Sequence, residues 1–198
     1  MKKQNALILL FILGGFAWAG AVKATPVLWA GNMHWYEVVP LSGASWDQAR
    51  TQTQLKAADW DLATLTSRGE QDFIAGLLGT HVPSDFISEY RIGGYQDSTA
   101  GEPDQGWKWV TLPEAFSSFV NWMPGEPNDS GRENHLAMDN RYSNPIPWAW
   151  NDNDPFLSGY IGGYVVENQI PVPEPLAMVL FGTGPVGMGG YIRRYVNR

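Results

Sequence analysis

Hydrophobic and polar positions in the first half of this 198-residue chain follow first a strand-like and then a helical pattern. Residues 35–39 combine aromatic and β-branched side chains with a single carboxylate, which is typical of a β-strand. A capping-box pattern from Ser45 to Gln48 predicts a helix that runs to about Leu55. A second one from Ser67 to Glu70 predicts a helix that ends at Gly79. The first half therefore predicts a strand and two helices.

The chain between and after the two helices has a different pattern. Leu62 to Leu65 form a short apolar connection between the two helices. After Pro83, stretches rich in Gly, Pro, Asn and Asp separate three short β-like pieces, which are residues 90–92, 107–110 and 164–166. The segment from Pro124 to Pro147 exceeds the 12–15 residues, roughly, beyond which loops are usually functional or disordered. Two helices followed by short strands and long loops predict an α+β domain.

Residues 1–24 have the three parts of a secretory signal peptide. Lys2 and Lys3 precede an apolar run over residues 6–16, and small residues follow it. The alternative, an uncleaved membrane anchor, is disfavoured because the run is short for a bilayer span. We therefore expect an exported protein.

Residues 171–198 predict a second targeting signal. A Pro-Glu-Pro motif, an apolar Gly-rich stretch and a basic end follow one another: Pro173, Glu174 and Pro175, then residues 176–192, then Arg193 and Arg194. The stretch is at the lower limit of a transmembrane segment, and the basic end favours a cytoplasmic tail. The arrangement resembles the PEP-CTERM sorting signal of bacterial exported proteins, whose tails exosortase-type transpeptidases cut. It implies a membrane-anchored protein that reaches the cell surface or the medium after processing; a plain single-span anchor is the alternative.

Residues 25–170 are long enough for one domain with a real core. They hold 19 of the 20 acidic residues but 7 of the 13 Lys and Arg residues. An acidic body argues against a nucleic-acid partner, since Lys and Arg supply most of the affinity there, and it agrees with cation binding. Cysteine is absent although the chain has the features of an exported protein, so core burial must replace the disulfides usual in secreted domains.

Two motifs combine a carboxylate with an amide side chain. They are Glu126-Pro127-Asn128 and Trp150-Asn151-Asp152, and Glu133 lies between them. Oxygen ligands suit Ca²⁺, and a sugar diol needs both the carboxylates that accept hydrogen bonds and the amides that also donate them. The candidate ligands for the metal and the sugar are Glu126, Asn128, Glu133, Asn151 and Asp152. The alternative is a set of solvated loop residues in Asx turns.

Other chemistry is weakly represented. Paired carboxylates are also used by glycosidases, but no feature of the sequence marks one of them as a buried acid, so we expect no enzyme activity. His34, His81 and His135 are scattered without metal-ligand spacing and are interpreted as structural or surface residues.

From Trp35 to Glu167 the order of motifs resembles the C-type lectin-like domain. These motifs are Ser45-Trp46 with residues 62–65, Ile92-Gly93-Gly94-Tyr95, Asn121-Trp122, the two acid–amide triplets, and residues 164–167. The resemblance implies a double-looped α+β fold in which the loop with cis Pro127 and the strand after Trp150 converge on one Ca²⁺. It implies the same five ligands, and a weaker accessory Ca²⁺ site at Asp97, Glu102, Asp104 and Asp129. Thr53, His135 and Val166 stand where the family has cysteines.

A Glu-Pro-Asn motif in this family tends to accompany mannose- or glucose-type sugars. Trp148 is the tryptophan that we expect beside a bound sugar, because it lies in a loop that is longer than usual in the family. Two functions remain open. One is a calcium-dependent lectin for extracellular polysaccharide. The other is an adhesion or matrix protein that binds a protein partner, with calcium only ordering the loops.

Overall fold

A computed structural model describes residues 25–79, 88–112, 116, 119–141, 145–156 and 159–169. The predicted signal peptide and sorting signal lie outside these residues. Within them, no helix is both long and apolar enough to cross a bilayer. The elements in chain order are β1 (Val27–Trp29), β2 (His34–Pro40), α1 (Trp46–Lys56), β3 (Trp60–Leu62), α2 (Arg68–Leu78), β4 (Glu89–Gln96), β5 (Trp107–Trp109), β6 (His135–Asp139), β7 (Ala149–Asn153) and β8 (Ile161–Asn168).

The two predicted helices are confirmed. Ser45 Oγ accepts a hydrogen bond from Gln48 N at 3.1 Å, and Ser67 Oγ accepts one from Glu70 N at 3.2 Å. The second capping box differs from the usual form in its other half, because the Glu70 carboxylate accepts from Thr66 N at 2.7 Å. The hydroxyl of buried Tyr36 also donates to that carboxylate, so Glu70 points into the core.

The strands form one eight-stranded sheet. Its path is β1-β2-β8-β4-β6-β7, while β3 pairs with β8 and β5 pairs with β4. β4 and β8 run parallel, and the other strand pairs named here are antiparallel. The α+β prediction is confirmed.

The hydrophobic pattern does not predict four of the eight strands. β1 and β3 are three residues each, and β3 begins before the apolar connection expected at residues 62–65. β6 lies inside the segment 124–147 that we expected to be a loop. β7 is fully buried although three of its five residues are polar. Alternation could not predict β7, because Asn151, Asp152 and Asn153 are buried polar residues. In β6 only residues 136–138 are apolar, a run too short to stand out within the long polar segment.

The core is built on aromatic side chains. Trp150 is completely buried and meets Trp109 and Phe119 edge to face, with ring centroids 5.5 and 5.6 Å apart. Trp109 also stacks on Phe116 at 4.6 Å. Each such pair contributes about 0.5–1.5 kcal/mol beyond area burial. This packing supplies what disulfides supply elsewhere.

Gln71 connects helix α2 to the strand beneath the acid–amide motif. Its amide nitrogen donates to the Trp148 carbonyl at 2.8 Å, and its amide oxygen accepts from Trp150 Nε1 at 2.7 Å. All three residues are buried. The position of β7 is therefore fixed from the helical side as well as through the sheet.

Candidate functional site

The Glu-Pro-Asn loop is fastened to β7 at its base. Trp150 N donates to the Asn121 carbonyl and Met123 N donates to the Trp150 carbonyl, both at 2.8 Å. The Glu126–Pro127 peptide is cis, as the resemblance implies. The Asn128 amide donates directly to the Glu126 carboxylate, so the acid and the amide of this motif lie side by side.

The Asp152 carboxylate holds the loop through its backbone N–H groups. Its side chain is completely buried, and its carboxylate accepts hydrogen bonds from Asn128 N at 3.1 Å and from Asp129 N at 2.7 Å. The predicted loop residues and the predicted strand residue are thus in direct contact across a sequence separation of 24.

Glu126 and Asp152 form a close pair of carboxyl groups. Burial, together with the side-chain hydrogen bond and the charge of Asp152, raises the pKa of Glu126 to about 7. Burial also raises the pKa of Glu133, and the negative charge of Asp152 adds to this. Two like charges this close are stable only when a proton or a cation compensates them. The chemistry of the site therefore fits a hard divalent cation.

The remaining two predicted ligands are less closely joined. Glu133 belongs to the same loop, where its carboxylate accepts from Ser130 N at 2.9 Å and its own N–H donates to Asp129 Oδ1 at 3.2 Å. Asn151 lies next to Asp152 on β7, opposite Ala137, and is buried. The structure thus brings Glu126, Asn128 and Asp152 together and leaves Glu133 and Asn151 beside them.

At the predicted accessory site, the charge of Asp97 is compensated by a lysine side chain. Asp97 forms an ion pair with Lys108 Nζ at 2.6 Å, and this hydrogen bond is the main cause that lowers its pKa. Glu102 and Asp104 are exposed, and Asp129 belongs to the loop over Asp152. Lys108 is therefore the partner of Asp97 Oδ2 in this structure, and the accessory site stays a prediction.

Trp148 does not offer an open face. The side chain is 4% exposed, and its ring meets Tyr90 edge to face with a centroid distance of 5.9 Å. A ring that stacks on a sugar must be accessible, whereas this one is part of the core. We therefore leave Trp148 out of the proposed binding site.

A second cluster of metal-type side chains was not expected from the sequence. Within the described residues, the group of three His, Asp or Glu ligand atoms that lie within 4.8 Å of one another is His34, Glu70 and Glu167. His34 Nδ1 is 2.5 Å from Glu167 Oε1, and Thr64 N donates to Glu167 Oε2 at 2.9 Å. The capping box accounts for Glu70 and the motif over residues 164–167 accounts for Glu167, so neither residue indicates a cluster in the sequence.

No protein-family model matches this chain. Among curated proteins, human C-type lectin domain family 10 member A is 32% identical over 139 residues, which cover 63% of this chain and 38% of that protein. The chain thus spans about two fifths of the length of this relative.

Two solved structures are similar to this chain over most of their own length. They are the SPL-1–GlcNAc complex (25% identity, TM-score 0.54, 71% of this chain and 90% of that one) and the Ca²⁺-independent C-type lectin SPL-2 from Saxidomus purpuratus (22%, 0.56, 74% and 93%). The chain has the C-type lectin-like fold.

Proposed function

We propose that this protein is a calcium-dependent carbohydrate-binding module of the cell surface or extracellular matrix. The observation that carries the proposal is the contact between the Glu126-Pro127-Asn128 loop and buried Asp152, which sets two carboxyl groups and an amide around one point. Ca²⁺ bound there neutralises the carboxylates, and Glu126, Asn128, Glu133, Asn151 and Asp152 would hold it. This is a binding function without catalysis.

The paired acid and amide also suit a sugar. Each of two neighbouring hydroxyl groups can place its oxygen on the metal, donate its proton to a carboxylate and accept a hydrogen bond from an amide, and Glu126 and Asn128 are one such pair. The order of acid and amide favours the adjacent equatorial hydroxyls of mannose- or glucose-type units. SPL-1, a similar protein, is described as a GlcNAc complex, which agrees with a glucose-type ligand.

Calcium dependence needs a direct test, because SPL-2 has the same fold and is described as Ca²⁺-independent. We expect wild-type protein to bind methyl mannoside or methyl glucoside in millimolar Ca²⁺ and to lose this binding in EDTA. Ca²⁺ should also raise the melting temperature by mass action. Isothermal titration and thermal unfolding with and without EDTA measure both effects.

An exchange variant sharpens the same experiment. Glu126→Gln combined with Asn128→Asp keeps the net charge and reverses the polarity of the hydrogen bonds. Since unpaired polar groups cost roughly 1–3 kcal/mol, mannoside affinity should fall at least several-fold. Asp59→Asn, at an exposed residue outside both candidate sites, is the control and should bind as the wild type does.

Two outcomes would contradict the proposal in different ways. Sugar binding that survives EDTA removes calcium from it. A wild type that binds no sugar in saturating Ca²⁺ removes the lectin function and favours the adhesion protein, in which calcium only orders the loops.

A further inference from the structure

Three ligand-type side chains from three different elements meet between β2, α2 and β8. They are His34 at the start of β2, Glu70 in the first turn of α2, and Glu167 near the end of β8. One ligand atom of each lies within 4.8 Å of the other two, and His34 Nδ1 is 2.5 Å from Glu167 Oε1. Both carboxylates are buried, whereas the His34 side chain is 24% exposed. The cluster can therefore be reached from solvent on the side of the imidazole.

The cluster carries more negative charge than its neighbours compensate. Among the described residues, His34 forms an ion pair with Glu167, and no Lys or Arg side chain forms one with either carboxylate. Burial is the main cause that raises the pKa of Glu167, and the negative charge of Glu70 adds to it. Two buried carboxyl groups beside one imidazole need a further proton or a cation.

Each carboxylate presents one oxygen to the cluster. Glu70 Oε2 accepts a hydrogen bond from Thr66 N at 2.7 Å, and Glu167 Oε2 accepts one from Thr64 N at 2.9 Å. These backbone bonds fix the second oxygen of each group and leave Oε1 for the cluster. Metal-ligating carboxylates are oriented by outer hydrogen bonds of the same kind.

The Tyr36 hydroxyl is a fourth polar group at this point. It donates to Glu70 and lies 3.2 Å from Glu167 Oε1, while its oxygen accepts from Asn32 Nδ2 at 2.7 Å. Together with this oxygen, the cluster offers one nitrogen and three oxygen donors. A set of this size suits tetrahedral Zn²⁺, whereas Ca²⁺ takes about 6–8 oxygens and imidazole suits the transition metals better.

We propose that His34, Glu70 and Glu167 form a structural Zn²⁺ site that joins β2, α2 and β8. The chain has no cysteine, so a metal held by three elements supplies a cross-link that disulfides would otherwise supply. Because the site forms only in the folded state, its metal stabilises that state by mass action. In the sheet, β4 and β6 separate β8 from β7, so this site is distinct from the candidate calcium site and does not depend on the proposed function.

The test measures Zn²⁺ binding while millimolar Ca²⁺ is present to saturate the candidate calcium site. Metal-free protein is titrated with Zn²⁺, and thermal unfolding is followed in the same buffers. We expect one Zn²⁺ per chain and a higher melting temperature. His34→Gln should lower Zn²⁺ affinity roughly tenfold or more, since even the outer-shell partners of metal ligands contribute that much. Asp72→Asn, which changes a carboxylate that is 58% exposed on the same helix as Glu70, is the matched control and should bind as the wild type does.

X-ray absorption at the zinc edge of the wild type keeps the test valid if His34→Gln does not fold. It should show a four-coordinate nitrogen and oxygen shell at about 2.0–2.2 Å with one imidazole. The inference is overturned if the wild type binds no Zn²⁺, if His34→Gln binds it as tightly as the control does, or if the shell contains no imidazole. A stabilisation by Ca²⁺ that His34→Gln abolishes and Zn²⁺ does not reproduce also overturns it. Sugar binding is measured in the same samples, so the proposed function can fail while this site stands, and the reverse.

Discussion

Glu89 is a single buried carboxyl group whose ionisation opposes folding. Burial and the charge of Asp139 raise its pKa to about 7 from an ordinary value of 4.5, although Arg141 and Arg91 act in the opposite direction. The folded protein therefore holds this proton more tightly than the unfolded chain does. The contribution of Glu89 to stability is complete below about pH 4.5 and is lost as the pH rises through about 7.

Glu89→Gln removes this dependence on pH. The free energy of unfolding of the wild type should fall relative to the variant between pH 4.5 and 7.5, by at most roughly 3 kcal/mol. Urea denaturation in EDTA at several pH values measures the difference, and shared metal ligands cancel in the comparison. Glu102→Gln, at an exposed position, should stay parallel to wild type, and a parallel curve for Glu89→Gln would contradict the assignment.

At the candidate site, some residues can be predicted from the sequence and others cannot. The acid–amide motifs predict Glu126, Asn128 and Asp152, because their side-chain chemistry is unusual within three residues. Trp148 could not be placed in this way, since a tryptophan in a long loop can turn towards solvent or into the core.

At the scale of elements, α2 and β7 depend on one another through Gln71. Gln71→Met keeps the volume but leaves Trp150 Nε1 and the Trp148 carbonyl without their described partner. A buried polar group without a partner costs about 1–3 kcal/mol, so we expect a loss of this order in urea denaturation with an unchanged m-value. Gln52→Met on the exposed face of α1 should change stability by less than about 0.5 kcal/mol. Equal effects of the two substitutions would contradict this role of Gln71.

The elements that sequence patterns predict are those whose stability is local. α1 and α2 carry their own capping residues, and β2 and β8 carry β-branched and aromatic runs. β7 is held by Gln71, which accepts from Trp150 Nε1, and by the backbone of Asn121 and Met123. A pattern of hydrophobic residues contains no record of such partners. β6 pairs with β4 and β7, and its apolar run of three residues is too short to predict a strand inside a long polar segment.

At the scale of the whole molecule, residues 1–24 and 171–198 are predicted targeting signals. If residues 171–198 are a sorting signal, the mature protein should lack the segment after about Pro175 and should be found outside the cell. Mass spectrometry of the exported form measures this end directly. Recovery from membranes of peptides that contain Arg193 and Arg194 would instead favour a plain anchor.

Val27 of β1 and Glu167 of β8 both lie opposite Tyr36 of β2, so the chain enters and leaves this sheet on either side of one strand. β7, which carries Asn151 and Asp152, forms the far edge of the same sheet. A domain whose first and last strands lie this close together can be inserted into a longer polypeptide without diverting the flanking chain. Tension along that polypeptide would pass through the β1–β2 and β2–β8 ladders, and β7 lies outside them. A ligand bound at the proposed site would therefore be held by a strand that lies outside this line of force.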